Sequence, residues 1–298
     1  MAFVYAATHL DVGSRVAIKI LRPNYLHQEQ VVHRFLREAQ AAALVSHPHV
    51  VSVRDFGISP EGHVFTVMEY LRGETLARTL ERDGPLPWRR AKHLMLQICA
   101  ALTAVHRAGI VHRDVTLANV FRLQRDDDPD FVVLVDFGIA RMLPTAPSGE
   151  SGARLTNEIE VFGTPAFMAP EQVRRTLDAD PRSDIYSAGV VLFALLTGRM
   201  PFVGRSATHV LEQQVHKPPP PPSCFVDSIP RAAEAVVLRA LEKDPDRRFQ
   251  SAEELAAAIA SVDDTNAAST SRAWSHSDVW SLVLGAVALM LALWLAFD

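Results

Sequence analysis

Apolar residues gather in two short runs near the start of the chain. Val16, Ala17, Ile18 and Ile20 in Arg15–Leu21, and Val64, Phe65, Val67 and Met68 in 64–71, are the residue types that suit strands. Between them, 31–44 carries helical spacing. From 72 onward the pattern is mostly helical. The strongest case begins at Pro87-Trp88, where Ala91, Leu94, Met95, Ile98, Leu102 and Val105 recur on one face. Gly109 then stands where a helix of that phase should stop. The expected class is α+β: one domain over 1–262, with a small sheet-rich lobe (1–71) and a large helical lobe (72–262). Residues 143–155, rich in Gly, Ser, Pro and Ala, have the composition of a loop, and no internal repeat is visible.

The end of the chain reads differently. Residues 263–278 are polar, without apolar periodicity, and fit a flexible linker. Residues 279–297 follow, nineteen in a row without a charge. At ~1.5 Å per residue a helix of that length reaches roughly 28 Å, close to the ~30 Å hydrocarbon core of a bilayer. Trp280 and Trp294 fall near its two ends, where indoles favour the interface. A buried core helix is the alternative, but the preceding residues already account for a complete fold. One C-terminal transmembrane helix is therefore expected, with Arg272 on its cytoplasmic side.

Composition narrows the classes. The chain has 298 residues, of which 48% are hydrophobic and 21% charged, ample for a large core. A net charge of −4 makes no case for nucleic acid as a partner. Two cysteines, Cys99 and Cys224, lie in unrelated contexts and imply neither a disulfide framework nor a metal cluster. The opening MAFVYAATHL has no basic region ahead of a long apolar run, so no secretory signal is read there.

The chemistry is concentrated in Val111-His112-Arg113-Asp114-Val115-Thr116-Leu117-Ala118-Asn119, followed by Asp136-Phe137-Gly138. Phosphoryl transfer from ATP needs a carboxylate to orient the attacking hydroxyl, oxygen ligands for magnesium and a fixed cation near the phosphates. Asp114 suits the first role, Asn119 and Asp136 the second. Each motif alone is common by chance. Their order, with a lysine upstream and Ala169-Pro170-Glu171 downstream, is not.

In that order the chain resembles the eukaryotic-like protein kinases, and in layout the bacterial membrane-bound serine/threonine kinases, from Val4 to about Leu255. The resemblance implies a two-lobed kinase fold using ATP with Mg²⁺ or Mn²⁺. Val16-Ala17-Ile18-Lys19 resembles the strand whose lysine grips the α- and β-phosphates, and Glu38 is its expected helix partner. Phe65-Thr66-Val67-Met68-Glu69-Tyr70-Leu71 is similar to the hinge strand, with Met68 as gatekeeper and the Glu69 and Leu71 backbones meeting adenine. Val4, Ala17 and Phe121 complete the implied ATP site. Glu74 is either a ribose contact or an exposed acid at a helix start. Gly163-Thr164-Pro165-Ala166-Phe167-Met168-Ala169-Pro170-Glu171 resembles the end of an activation segment, with Thr164 typical of Ser/Thr specificity. Arg113 stands beside the catalytic aspartate. Asp184 is implied to brace the catalytic loop and Arg248 to pair with Glu171, both as structural residues.

Two departures stand out. Kinases normally open with a Gly-rich loop, G-x-G-x-x-G-x-V, over the phosphates. Here Ala2-Phe3-Val4-Tyr5 aligns with its last glycine and valine, so the small lobe is expected to lack its first strand, and a longer reading frame upstream is expected. Two residues past Asp114, where Ser/Thr kinases usually carry a lysine, stands Thr116.

Several features have plain alternatives. Thr156, like Thr164, is a candidate phosphosite, able to pair with Arg113 when phosphorylated, or else an ordinary loop residue. Pro218–Pro222 reads as a stiff loop, His47 and His49 as turn and packing residues, and Asp126–Asp128 as a solvated acidic run. The expected activity is phosphorylation of protein Ser/Thr hydroxyls in membrane-associated signalling, including the chain's own loop, with the catalytic domain cytoplasmic. A homodimer is compatible with this reading. The rivals are a pseudokinase, a membrane-tethered binding module with little turnover, and a small-molecule phosphotransferase, which the Gly-Thr-Pro…Ala-Pro-Glu segment disfavours.

Overall fold

A computed structural model describes residues 1–137, 164–175 and 179–264. The Arg15–Leu21 run forms strand β2, pairing on one side with β1 (Ala2–Thr8) and on the other with β4 (Val64–Glu69). β3 (Val53–Ile58) completes a four-stranded antiparallel sheet in the order β1-β2-β4-β3. β1 forms one edge, and no strand among the described residues pairs with its outer side. Helix α1 (Glu29–Ala43) turns Phe35, Ala39, Ala41 and Ala42 inward. Phe35 joins Leu21 and Val64 in a small core, against which Val31, Val32 and Leu36 also pack. That packing brings the helix carrying Glu38 down onto the sheet carrying Lys19.

The large lobe is built around helix α5 (Pro181–Thr197). It is buried on every side from Ser183 to Thr197, as a helix that is apolar all round must be. Asp180 caps its start by accepting from Arg182 N, Pro181 supplies the first-turn φ, and Gly198 ends it at φ 69°. Around it pack α3 (Trp88–Arg107), α7 (Arg231–Ala240) and α8 (Ala252–Ser261). α3 has the range its periodicity predicts, and Gly109 takes φ 74° just beyond it. Helices α2 (Leu76–Asp83), α4 (Pro170–Arg174) and α6 (Ala207–His216) complete this lobe.

The reading of 72–262 as mostly helical passes over one feature. β5 (Gly73–Thr75), β6 (Val120–Leu123) and β7 (Phe131–Leu134) form a second, three-stranded sheet. Strands of three or four residues are too short to show a period in sequence. This sheet brackets the catalytic segment, since β6 begins at the residue after Asn119 and β7 ends two residues before Asp136.

The compact unit that includes both lobes runs from Met1 to Asp264. No helix among the described residues is long and apolar enough to cross a membrane. The linker 263–278 beyond Asp264, the apolar run 279–297, the loop 143–155 and Thr156 lie outside the described residues.

Candidate active site

Lys19 points from β2 into the space between the lobes. Its Nζ donates to Glu38 Oε1 at 2.9 Å and to Asp136 Oδ1 at 2.8 Å. One ammonium thus faces two carboxylates, and the cluster is net negative. Burial alone would lower the Lys19 pKa, but Asp136 and then Glu38 outweigh it and hold it above its ordinary value. Burial, above all, pushes the Glu38 carboxyl up to about 7; Lys19 pulls it back, and the negative charge of Asp136 opposes that pull. A further cation at Asp136 would relieve this repulsion.

The second half of the site is the turn after α3. Asn119 Nδ2 donates to the Asp114 backbone carbonyl at 2.9 Å and to Asp114 Oδ2 at 2.5 Å. With the amide nitrogen so engaged, the oxygen Oδ1 is left to act as an acceptor. Thr116, which is buried, takes a part that its sequence position does not announce. Its hydroxyl accepts from Asn119 N at 3.2 Å, beside its own carbonyl at 3.1 Å, and so helps hold the turn that aims Asn119.

Asp184, fully buried at the start of α5, braces this turn from behind. It accepts from Arg113 N at 2.7 Å, His112 N at 2.8 Å and His106 Nε2 at 2.8 Å. Arg113 sits at φ 66°, a left-handed conformation costly for a residue with a Cβ, and these bonds hold it there. His112 is buried, and burial lowers its pKa and keeps it neutral. Asp114 N donates to its Nδ1 (3.3 Å), while its Nε2 lies 3.2 Å from the Val135 carbonyl, which assigns the proton to Nε2. Its ring also stacks on Phe137 at 4.9 Å, tying the Asp114 turn to the Asp136 turn. Asp136 itself takes φ 55°.

Met68, Leu71 and Phe121 pack around one apolar cluster with Val51, Leu123, Val133 and Val135, and Ala17 pairs with Met68 across the sheet. Val4 lies opposite Lys19 on β1 and is exposed. The Glu69 N–H is engaged by the Ser52 carbonyl at 2.9 Å. Behind Met68 lies a cavity of only about 20 Å³, too small for a base. A much larger groove, about 910 Å³, runs past Asp114, Thr116 and Asn119 between α2, Phe167 and the loop after α5.

Glu171 and Arg248 pair in two places, at 2.7 and 2.8 Å. The Arg248 guanidinium is buried, and three backbone carbonyls take its other bonds. Of the two alternatives for Glu74, the structure favours neither. Its Oε1 accepts from Arg82, Arg122 and Thr79, inside an ion network with Asp83, Arg90 and Asp130. Likewise Asp128 is not merely solvated, because it pairs with His93 at 2.9 Å. His49 is a packing residue as expected, its Nδ1 2.8 Å from the Val132 carbonyl. Thr164 begins a 3₁₀ turn, Thr164–Phe167.

Comparison with known proteins agrees with this geometry. Residues 1–258 match the protein kinase domain family. The chain is 40% identical to the serine/threonine-protein kinase pkn3 of Myxococcus xanthus, over 88% of this chain and 48% of that protein. It is 40% identical to PknB of Mycolicibacterium smegmatis (90% and 42%) and 37% identical to PrkC of Bacillus subtilis (89% and 39%). It therefore spans less than half the length of these curated relatives. Among solved structures, the kinase domain of Mycobacterium tuberculosis PknI superposes with a TM-score of 0.65 at 27% identity, covering 87% of this chain and 90% of that one. With such identity extending over nearly nine-tenths of its length, the chain belongs to the protein kinase family, among its bacterial serine/threonine members.

Proposed function

We propose that this chain transfers the γ-phosphate of ATP to Ser/Thr hydroxyls of proteins, its own loop included, with Mg²⁺ or Mn²⁺ as the metal. The observation that carries this reading is the Lys19 ammonium held between Glu38 and Asp136, with Asn119 bonded to Asp114 on the neighbouring turn. Asp114 is placed to accept the substrate hydroxyl's proton and orient its oxygen. Lys19 supplies the fixed cation for the α- and β-phosphates. Ala17, Met68, Leu71 and Phe121 offer an apolar bed for adenine, with the Glu69 and Leu71 backbones at its edge and Val4 above.

The donor set fits the metal. Asp136 and Asn119 Oδ1 are hard oxygen ligands beside a net-negative cluster, and Asp136 and Asn119 would hold Mg²⁺. No three His, Cys, Asp or Glu side chains group as a metal site among the described residues. That suits an ion bound by one or two protein oxygens together with phosphate oxygens. When bound, it neutralises charge on the phosphates. Thr116 contributes no charge, and among the described residues Lys19 is the cation paired with Glu38 and Asp136.

The groove beside Asp114 supports a peptide substrate, as does the Thr164–Glu171 segment at its wall. The relatives' names support turnover over a pseudokinase role, as does the retention of Lys19, Asp114, Asn119 and Asp136. The uncharged run 279–297 supports attachment to a membrane, with the catalytic domain in the cytoplasm where ATP is. Carbonate extraction of cell membranes tests that attachment, and release of the chain would refute it. Phosphorylation at Thr156 or Thr164 is tested by mass spectrometry after incubation with Mg-ATP. An active sample unmodified at both residues would remove them as regulatory sites. The activity itself is tested by labelled-phosphate transfer to a generic protein substrate. The parent chain should label it and Asp114→Asn should not; equal labelling would overturn the reading.

A further inference from the structure

The Thr164–Phe167 turn walls the groove that holds Asp114, because Phe167 lines it. Its backbone is held from the side away from the groove. The Ala166 carbonyl accepts from Gln214 Nε2 at 2.6 Å, and the Phe167 carbonyl accepts from Ser187 Oγ at 2.8 Å. Gln214, on α6, is fully buried, so its amide oxygen also needs a partner. That partner is the Tyr186 hydroxyl on α5, at 2.5 Å. Tyr186 is equally buried, and its oxygen accepts from Lys243 Nζ at 3.0 Å. Lys243 lies over the Phe202 ring at 4.2 Å, which further shields it from water.

The direction of this chain is fixed by chemistry. A carbonyl oxygen only accepts, so Gln214 turns its nitrogen to Ala166 and its oxygen to Tyr186. The tyrosine proton must then go to Gln214, leaving the phenolic oxygen to receive the lysine. Every link donates the same way, from an ammonium to the groove wall, and such buried series strengthen one another.

We propose that Lys243, Tyr186 and Gln214 act in series as positioning residues for the substrate-docking turn, setting affinity for the protein substrate and not for ATP. This rests on the reading of the chain as a protein kinase. Their hydrogen bonds run from Lys243 through Tyr186 and Gln214 to the Ala166 carbonyl, so their effect should reach the reaction through the turn.

The test compares the parent with Tyr186→Phe, Gln214→Leu and the double variant, all as the 298-residue chain, in steady-state phosphorylation of one Ser/Thr peptide. Each single change should raise the peptide KM by roughly fivefold to fiftyfold, the worth of a buried hydrogen bond. The ATP KM and the kcat at saturating peptide should stay within about twofold of the parent. Because the links act in series, the double variant should be little worse than Gln214→Leu alone. Lys243→Met, which removes the outermost link, replaces any variant that fails to fold and should shift the peptide KM in the same direction. An unchanged peptide KM would overturn the proposal. So would parallel losses in ATP KM and kcat, or fully additive effects in the double variant. A parent without transfer activity would instead overturn the kinase reading beneath it.

Discussion

Asp184→Asn is the substitution that most directly probes how the catalytic turn is held. The carboxylate receives three donors: Arg113 N on Oδ1, and His112 N with His106 Nε2 on Oδ2. Asparagine offers one oxygen and one NH₂ in the same outline. In its better orientation the oxygen keeps the two donors on one side, and the NH₂ then meets the Arg113 N–H. A buried N–H left unpaired costs about 1–3 kcal/mol. The two surviving bonds also lose their ionic character, which roughly halves their strength. A loss of about 3 kcal/mol follows, large beside the ~5–15 kcal/mol that holds a domain folded. The lost bond is the one made directly by the Arg113 N–H among those that hold the turn at φ 66°, so the strain eases there and Asp114 moves with it. Misplacement of that kind costs on the order of a hundredfold in turnover. Urea unfolding followed by tryptophan fluorescence gives the first number and steady-state phosphorylation the second. Asp114→Asn is the contrast, abolishing turnover with a much smaller loss of stability. An Asp184→Asn protein within about 0.5 kcal/mol and twofold of the parent would refute this account of the turn.

Other expectations follow from the same geometry. Burial raises the Glu171 carboxyl, but its ion pair with Arg248 and the Ser183 hydroxyl outweigh this and hold it below the ordinary range. Its contribution is therefore present above the unfolded value of about 4.3 and lost as pH falls through the folded one. Glu171→Gln should flatten the acid limb of the unfolding midpoint; an unchanged limb would contradict it. Thr116→Val removes one of two acceptors of the Asn119 N–H, the Thr116 carbonyl at 3.1 Å remaining, and should raise the Mg²⁺ concentration needed for half-maximal rate by about threefold, the low end of a hydrogen bond's worth. A rate profile identical to the parent's would show that the hydroxyl is idle. Glu74→Gln should lower the unfolding midpoint through the Arg82–Arg122 network while leaving the ATP KM within about twofold. A selective rise in ATP KM would instead restore a ribose contact.

What the sequence discloses is whatever chemistry writes along the chain. The strand Arg15–Leu21 is legible because β-branched residues crowd it, and α3 because six apolar positions share one face and a glycine follows. Lys19, Asp114, Asn119 and Asp136 are legible as an ordered set; the structure bonds Lys19 to Asp136 and Asn119 to Asp114, and the His112–Phe137 stacking joins the two turns. The expected pairs Glu171–Arg248 and Asp184 with the Arg113 turn are also present. Less accessible are partners chosen only by the tertiary fold. His106 reaches Asp184 across 78 positions, and nothing about a histidine in a helix's last turn signals it. Glu74 meets Arg122 only because β5 and β6 pair, and those strands are too short to read. The hydroxyl of Thr116 helps hold Asn119 three residues on, a local signal that attention to a missing lysine obscures.

The central claim is that Lys19 and Asp136 form half of a Mg-ATP site. Calorimetric titration of ATP into the parent, Lys19→Met and Asp136→Asn, each with and without Mg²⁺, tests it most directly. Binding by the parent should require Mg²⁺, weaken by about tenfold or more in Lys19→Met, and lose its Mg²⁺ dependence in Asp136→Asn. A parent that takes up no Mg-ATP, or two variants that bind it as the parent does, would contradict the account.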